Sequence, residues 1–407
     1  TPTLSSAASD VYKRQDKNCV DKTTIFRMFL RDILSAMNQR LLLVLIPLSF
    51  VLHAIEADPR VIFLVSLFAI VPLVEVMGIA TERLSTRLGS VIGGLLNSTL
   101  SNAPELIIGI VALRNGLGRV VKASLTGSIM VNLLVGLGCA LIVGGLKYGV
   151  HSFDRRQLRS SGLMLVMCGF CFIVPAVFRI GTPQGTRDLS LELSFILLAI
   201  YVGNVMITIF DGRRTSQDAT MQSAGAKESY SAGRSLAILG LSGIALAGVS
   251  EAVTDSLIPA TRTLGFSDTF SGIVLLGGVG GIGEVLTAIR FARQGKQELV
   301  MAATVGSTIQ MVLFVAPMLV FTGLFVGESM NLSFSMFEVV SIVLAIIIAR
   351  EIINAGKATW IEGLMLLATY LILAIGFYHL PDAVVARDQS AAEGNSIPTV
   401  QPGAQNL

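Results

Sequence analysis

Two glutamates lie inside long apolar runs, where an acidic side chain is expensive, and each follows a stretch that a regular helix does not favour. Glu105 ends the run Ser98-Thr99-Leu100-Ser101-Asn102-Ala103-Pro104-Glu105, in which Pro104 removes a backbone donor and crowds the preceding turn. Glu284 ends Gly277-Gly278-Val279-Gly280-Gly281-Ile282-Gly283-Glu284, where Gly280, Gly281 and Gly283 loosen the helix instead. A carboxylate at membrane depth is predicted to turn away from lipid, toward its counterpart or a cation, with the freed carbonyls of the broken helix completing an oxygen shell. Hard cations such as Ca2+ take that shell. The competing reading makes both glutamates protonated links between helices. Their symmetric placement beside two breaks argues against it.

Laying Glu105 over Glu284, an offset of 179, also superposes Arg114 on Arg293, Gly116 on Gly295, Ala123 on Ala302, Gly127 on Gly306, Ser128 on Ser307 and Gly144 on Gly323. Upstream, Glu75 falls on Glu251 and Gly89 on Gly265 at an offset of 176, so a short loop difference separates the two matches. The chain therefore reads as a repeat of five spans. Because five is odd, the second copy enters the membrane from the opposite side, and the repeat is predicted to be inverted.

Around the carboxylate pair, Ser128 and Ser307 offer hydroxyls where Gly127 and Gly306 let helices approach closely. Packing alone explains the serines equally well. Asn132 and Gln310 lie about a turn further on, and Gln310 joins the candidate ligands. Glu75 and Glu251, with Glu82 and Asp255 one or two turns on, are candidate proton-pathway groups; Glu82 also reads as a solvated charge beside Arg83 and Arg87. Glu338 and Glu351 read as interfacial.

The elements that must hold these residues follow from composition. The 407 residues are 53% hydrophobic and only 14% charged, too few polar side chains to coat a soluble globule. Eleven runs approach the roughly 20 apolar residues that cross a 30 Å hydrocarbon core. They fall at about 41–56, 61–80, 91–113, 120–146, 162–180, 189–210, 235–258, 269–293, 299–324, 335–353 and 361–380. With the N-terminus inside, 22 of the 30 Lys and Arg fall in cytoplasmic segments, which fixes that orientation. The expected architecture is all-α and polytopic: an N-terminal segment 1–40, a first helix at 41–58, one repeat at 60–210, a polar cytoplasmic linker at 211–234, a second repeat at 235–380 and a disordered tail from 381 to 407. Residues 1–20 carry no signal-peptide pattern and are left out of the fold argument.

Cys19, Cys139, Cys168 and Cys171 form no metal-spaced group, and the three histidines are far apart, so an imidazole or thiolate metal site is not expected. No nucleophile elbow or His/Cys pairing points to an enzyme, and no resident cofactor is implied.

Three segments together resemble the calcium/proton exchanger family of the cation/calcium exchanger superfamily: Pro72-Leu73 through Ala80-Thr81-Glu82, Gly93-Gly94-Leu95-Leu96-Asn97-Ser98-Thr99, and Asn102-Ala103-Pro104-Glu105-Leu106-Ile107. Lys122 through Ile129 continues the likeness. So do Ser250-Glu251, Leu264 through Phe270, Glu284 with Thr287-Ala288, Gly306 through Gln310 and Trp360 through Gly363. The resemblance spans roughly residues 40–380. It implies Ca2+ extrusion driven by a proton gradient, with Ca2+ and H+ as substrates, the two glutamates holding either one, and Asn102 matching the first motif together with Glu105 as a ligand. The second motif departs from the family's usual Gly-Asn-Ala-Ala-Glu-His, reading Gly280-Gly281-Ile282-Gly283-Glu284-Val285, without the amide and the imidazole. Glu75 departs the other way, standing where the family usually has a small apolar residue. Exchange of another pair, Na+ for Ca2+ or Mn2+ for H+, and a non-transporting membrane sensor remain the alternatives. A bacterial plasma membrane and a vacuole-like organelle membrane both suit the chain.

Overall fold

A computed structural model describes residues 39–87, 99–153, 155–178, 182–219, 232–327, 330–381 and 384. The expectations for residues 1–38, for Gly93–Ser98 and for the tail from 385 fall outside the described residues. The described chain is almost wholly helical. Two short helices, α1 (Gln39–Ala54) and α3 (Ala103–Arg114), accompany long apolar ones: α2 (Pro59–Arg87), α4 (Gly118–Tyr148), α5 (Arg155–Val177), α6 (Pro183–Ala219) and α7 (Ala232–Leu264). A bent pair follows, α8 (Asp268–Gly280) and α9 (Ile282–Arg293), and then α10 (Gln297–Val326), α11 (Met336–Ala355) and α12 (Trp360–Tyr378). Among the described residues, seven helices are long and apolar enough to cross a membrane, and the bent pair makes an eighth. Such helices satisfy every backbone group internally, as lipid requires. The chain is a multi-pass membrane protein.

Several details differ from the sequence reading. α6 continues through Ala219, well into the segment read as a loop, because Arg213, Arg214 and Gln217 are good helix formers that carry the helix on past the apolar run. Glu338 is fully buried at the first turn of α11. It closes a capping box, taking the Ser335 backbone N–H at 2.9 Å and hydroxyl at 2.7 Å, which satisfies donors at the start of α11. Thr359 and Glu362 form the same device at the start of α12.

A two-residue antiparallel ribbon pairs His151 with Ala358 and Ser152 with Lys357, tying the connection after α4 to the one between α11 and α12. Lys122, buried on α4, donates from Nζ to Asn331 Oδ1 and to the Ser333 carbonyl, both at 2.8 Å, and so anchors the segment that enters α11.

The interior divides into two apolar clusters. The larger runs through α3 to α6 and α9 to α12. The smaller is built mainly by α2 and α7, from Phe63, Leu67, Ile70, Leu246, Val249 and Leu257. α4 and α10 are interrupted by π-helical turns at Val131–Gly136, Ala302–Gly306 and Met311–Val315, a distortion that often marks functional sites.

Candidate ion-binding site

Both expected breaks are present. Residues 99–100 are helical, Ser101 and Asn102 form a turn, and α3 restarts at Ala103 with Asn102 at φ −96°, ψ 11°. Pro104 occupies the second position of the restarted helix, where its missing N–H would have had no intrahelical partner anyway. In the other half Gly281, at φ −77°, ψ 2°, separates α8 from α9, and the two are bent by 47°. Asn102 and Gly281 are related by the same offset of 179 as the glutamates. Glu105 and Glu284 are each the third residue of a restarting helix, where unpaired N–H groups and the helix dipole favour negative charge.

The two carboxylates are 7% and 9% exposed, and Glu105 Cγ lies 3.8 Å from where a Cβ on Gly280, one turn before Glu284, would be. One oxygen of each, Oε2, is buried without a hydrogen-bond partner. Two buried acceptor-only groups side by side are unfavourable unless a proton or a cation joins them.

Glycines let the second break come up against the first half. A Cβ on Gly280 would sit 3.3 Å from Ser128 Oγ and 3.8 Å from Glu105 Cγ. Ser128, buried, donates to the Gly277 carbonyl at 3.4 Å. At the crossing of α4 with α8, a Cβ on Gly127 would fall 1.9 Å from the Ile273 carbonyl oxygen, and one on Gly277 2.6 Å from Gly127 Cα. The close approach expected at Gly127 is thus real, but its partner is Gly277 rather than a counterpart at Gly306. A Cβ on Gly306 would meet only Met301 O of its own helix, at 4.0 Å.

The amides divide unevenly. Asn102 Nδ2 donates to Gln310 Oε1 at 2.7 Å, linking the first break to α10. Asn132, 1% exposed on the π turn of α4, has a buried Oδ1 without a partner, 3.3 Å from where a Gly281 Cβ would be. An amide oxygen from the first half thus lies against the second break, where the sequence has no amide of its own. Ser307 is buried on α10, one turn before Gln310. A narrow cleft runs from Glu105 and Ser128 along α3 and α4, past Ile108, Ala112 and Val121.

The acidic residues outside the pair are dispersed. Glu82, Glu251 and Asp255 are exposed. Asp255 accepts from Asn115 Nδ2 at 3.2 Å and lies 3.6 Å from His53 Nε2. Glu75 is ion-paired with Arg290 of α9, a partner the sequence reading did not identify. Arg290 stands six residues beyond Glu284, and no local pattern joins it to Glu75, 215 positions earlier.

The family model for the sodium/calcium exchanger protein matches residues 60–210 and 234–378, and the chain belongs to that family. The Ca(2+)/H(+) antiporter of Aphanothece halophytica is 35% identical over 358 residues, 84% of this chain and 96% of the relative. The Ca(2+)/H(+) antiporter ChaA of Bacillus subtilis (strain 168) is 36% identical over 339 residues, 82% of this chain and 97% of the relative. The solved structure of native YfkE superposes with a TM-score of 0.72 at 34% identity, covering 83% of this chain and 99% of that one.

Proposed function

We propose that this protein is a secondary antiporter exchanging Ca2+ for H+ across its membrane, with Glu105 and Glu284 as the shared binding groups. One observation carries the reading: two buried carboxylates, each with an unpartnered oxygen, at the starts of two interrupted helices whose breaks pack together. Oxygens from Asn102, Ser128, Ser307, Gln310 and Asn132 supply the remaining hard donors, which suits Ca2+. Kinship to two Ca(2+)/H(+) antiporters at 35% and 36% identity supports both the ion and the counter-ion.

Eleven spans are proposed, α1 followed by two inverted repeats of five. Support comes from α4. Asn115, at the end of α3, immediately precedes the start of α4, whereas the Arg293 carbonyl at the end of α9 accepts from Lys147 Nζ at 2.7 Å and Tyr148 Oη at 2.8 Å at the other end. The two glutamate-bearing helices therefore run from the pair toward opposite ends of one span, as inversion requires.

Competition for one carboxylate pair is sufficient for exchange. Protonation removes the charge that holds the cation, and the empty doubly ionised pair is too costly to move through an apolar interior. Only the loaded or protonated site passes between faces. The test is purified protein in vesicles with an imposed pH gradient, presented in turn with Ca2+, Mn2+, Mg2+ and Na+. Ca2+ movement with opposite proton movement is expected. A Na+-driven Ca2+ flux insensitive to pH would replace the proton with sodium.

A further inference from the structure

The α2–α7 pair has its own apolar cluster, and the glutamate-bearing breaks lie along the seam between that pair and the rest of the molecule. At the seam the packing is tight but sparse in polar contacts: Val74 of α2 touches the position that a Gly283 Cβ would occupy at 2.8 Å. Among the described residues, two polar ties cross it. Glu75 of α2 is ion-paired with Arg290 of α9. Asn115, at the end of α3, donates through Nδ2 to Thr254 Oγ1 at 2.7 Å and to Asp255 Oδ1 at 3.2 Å, both on α7.

These ties are arranged as a pair. Each joins one helix of the α2–α7 unit to the far portion of one glutamate-bearing helix. α3 ends beside the start of α4 at Gly118, and α9 ends at Lys147 and Tyr148 at the finish of α4. α4 spans 31 residues, so the two ties lie toward opposite faces with the carboxylate pair between them.

We propose that the Glu75–Arg290 ion pair is a latch that holds the α2–α7 unit closed over the site on the Tyr148 face, and that the Asn115 tie to Thr254 and Asp255 is its counterpart on the Gly118 face. The site opens to a face when the tie on that face parts. The ionic member gives this motion two stable ends. Closed, Glu75 is 12% exposed and its charge is matched by Arg290, 47% exposed. Open, water entering the parted seam solvates both charges. Between these, two separated charges in a narrow dry gap are costly, so intermediate positions are depleted. The amide tie lacks this penalty, so the Tyr148 face is held the more firmly of the two.

The latch rests on the antiporter reading only for its role in transport; its closure is measured without any ion. Thr287, one turn beyond Glu284 on α9, is half-buried, and Thr287→Cys serves as a reporter labelled by a membrane-impermeant thiol reagent, with the unsubstituted chain as background. Glu75→Gln and Arg290→Gln are each expected to raise labelling severalfold, and the exchanged pair Glu75→Arg with Arg290→Glu to bring it back to the parent rate. In vesicles, Glu75→Cys with Arg290→Cys joined by a short bifunctional thiol reagent is expected to stop ion exchange, with recovery on cleavage of the linker. Equal labelling in all variants that elute as monodisperse protein, or a charge exchange no better than Glu75→Gln, overturns the latch. Labelling that follows the expected order in a protein showing no ion-dependent proton movement upholds the latch and removes the antiporter reading.

Discussion

The break before α3 and the break between α8 and α9 reach the same end by opposite chemistry. Each delivers a glutamate at the third position of a new helix with unpaired backbone donors around it. The first is rich in side chains: Asn102 turns the chain and binds Gln310, while Pro104 begins the next helix. The second is made of empty space. Gly277, Gly280 and Gly281 have no side chains of their own there, and Ser128, Asn132 and Glu105 of the first half occupy the vicinity. A duplicated motif has thus become complementary rather than identical, one copy supplying groups and the other supplying room for them. Where the second motif has no side chains, Ser128 and Asn132 of the first half stand within 3.3 Å of the positions that Cβ atoms on Gly280 and Gly281 would take.

The comparison is tested most severely at the carboxylates, the acidic groups that both breaks deliver. Glu105→Gln and Glu284→Gln are each expected to reduce vesicle Ca2+/H+ exchange to the level of empty vesicles while the protein still elutes as a single species. Full uptake by either breaks the equivalence of the two halves. Next in size is the crossing. Gly127→Ala or Gly277→Ala drives a methyl group into facing backbone and is expected to cost about 1–3 kcal/mol or more, seen as a lowered unfolding temperature in detergent. Gly306→Ala, aligned with Gly127 but uncrowded, is expected to be neutral or to stabilise by up to about 1 kcal/mol through helix propensity.

Smaller effects sharpen the division between donor and space. Asn132→Ala is expected to raise the Ca2+ concentration for half-maximal exchange by about tenfold, the range for losing one buried polar contact to a charge. Its unfolding temperature is expected to change little, because Oδ1 has no protein partner to lose. A lowered unfolding temperature with unchanged Ca2+ dependence would return Asn132 to a packing role. Smallest is Ser335→Ala, which opens the capping box of α11 and is expected to cost about 1 kcal/mol with ion dependence unaltered.

Much of this was legible in the residues. Glu105 and Glu284 stand out because a carboxylate in an apolar run is rare and because proline and glycine announce an interruption beside each. The register of the repeat even locates the turning residues, Asn102 and Gly281, at matching places. What the sequence could not display is contact across the symmetry. Gly127 aligns with Gly306 but touches Gly277, since alignment relates equivalent positions and packing joins non-equivalent ones. Arg290 gives no local sign of Glu75, because ion pairs between distant helices follow from tilt and reach rather than spacing. Glu338 gives no sign of its role until the serine three residues earlier is recognised as its capping partner.

The small ribbon formed by His151, Ser152, Lys357 and Ala358 carries a topological rule. Hydrogen bonding fixes its two strands on one side of the membrane, so the chain between them must cross an even number of times. On the proposed count of eleven spans, α5, α6, α7, the bent α8–α9 pair, α10 and α11 make six crossings between them, an even number. Four backbone residues thereby act as a parity check on the path of some two hundred others: adding or deleting one crossing anywhere between α5 and α11 would leave the strands on opposite sides of the bilayer, unable to pair.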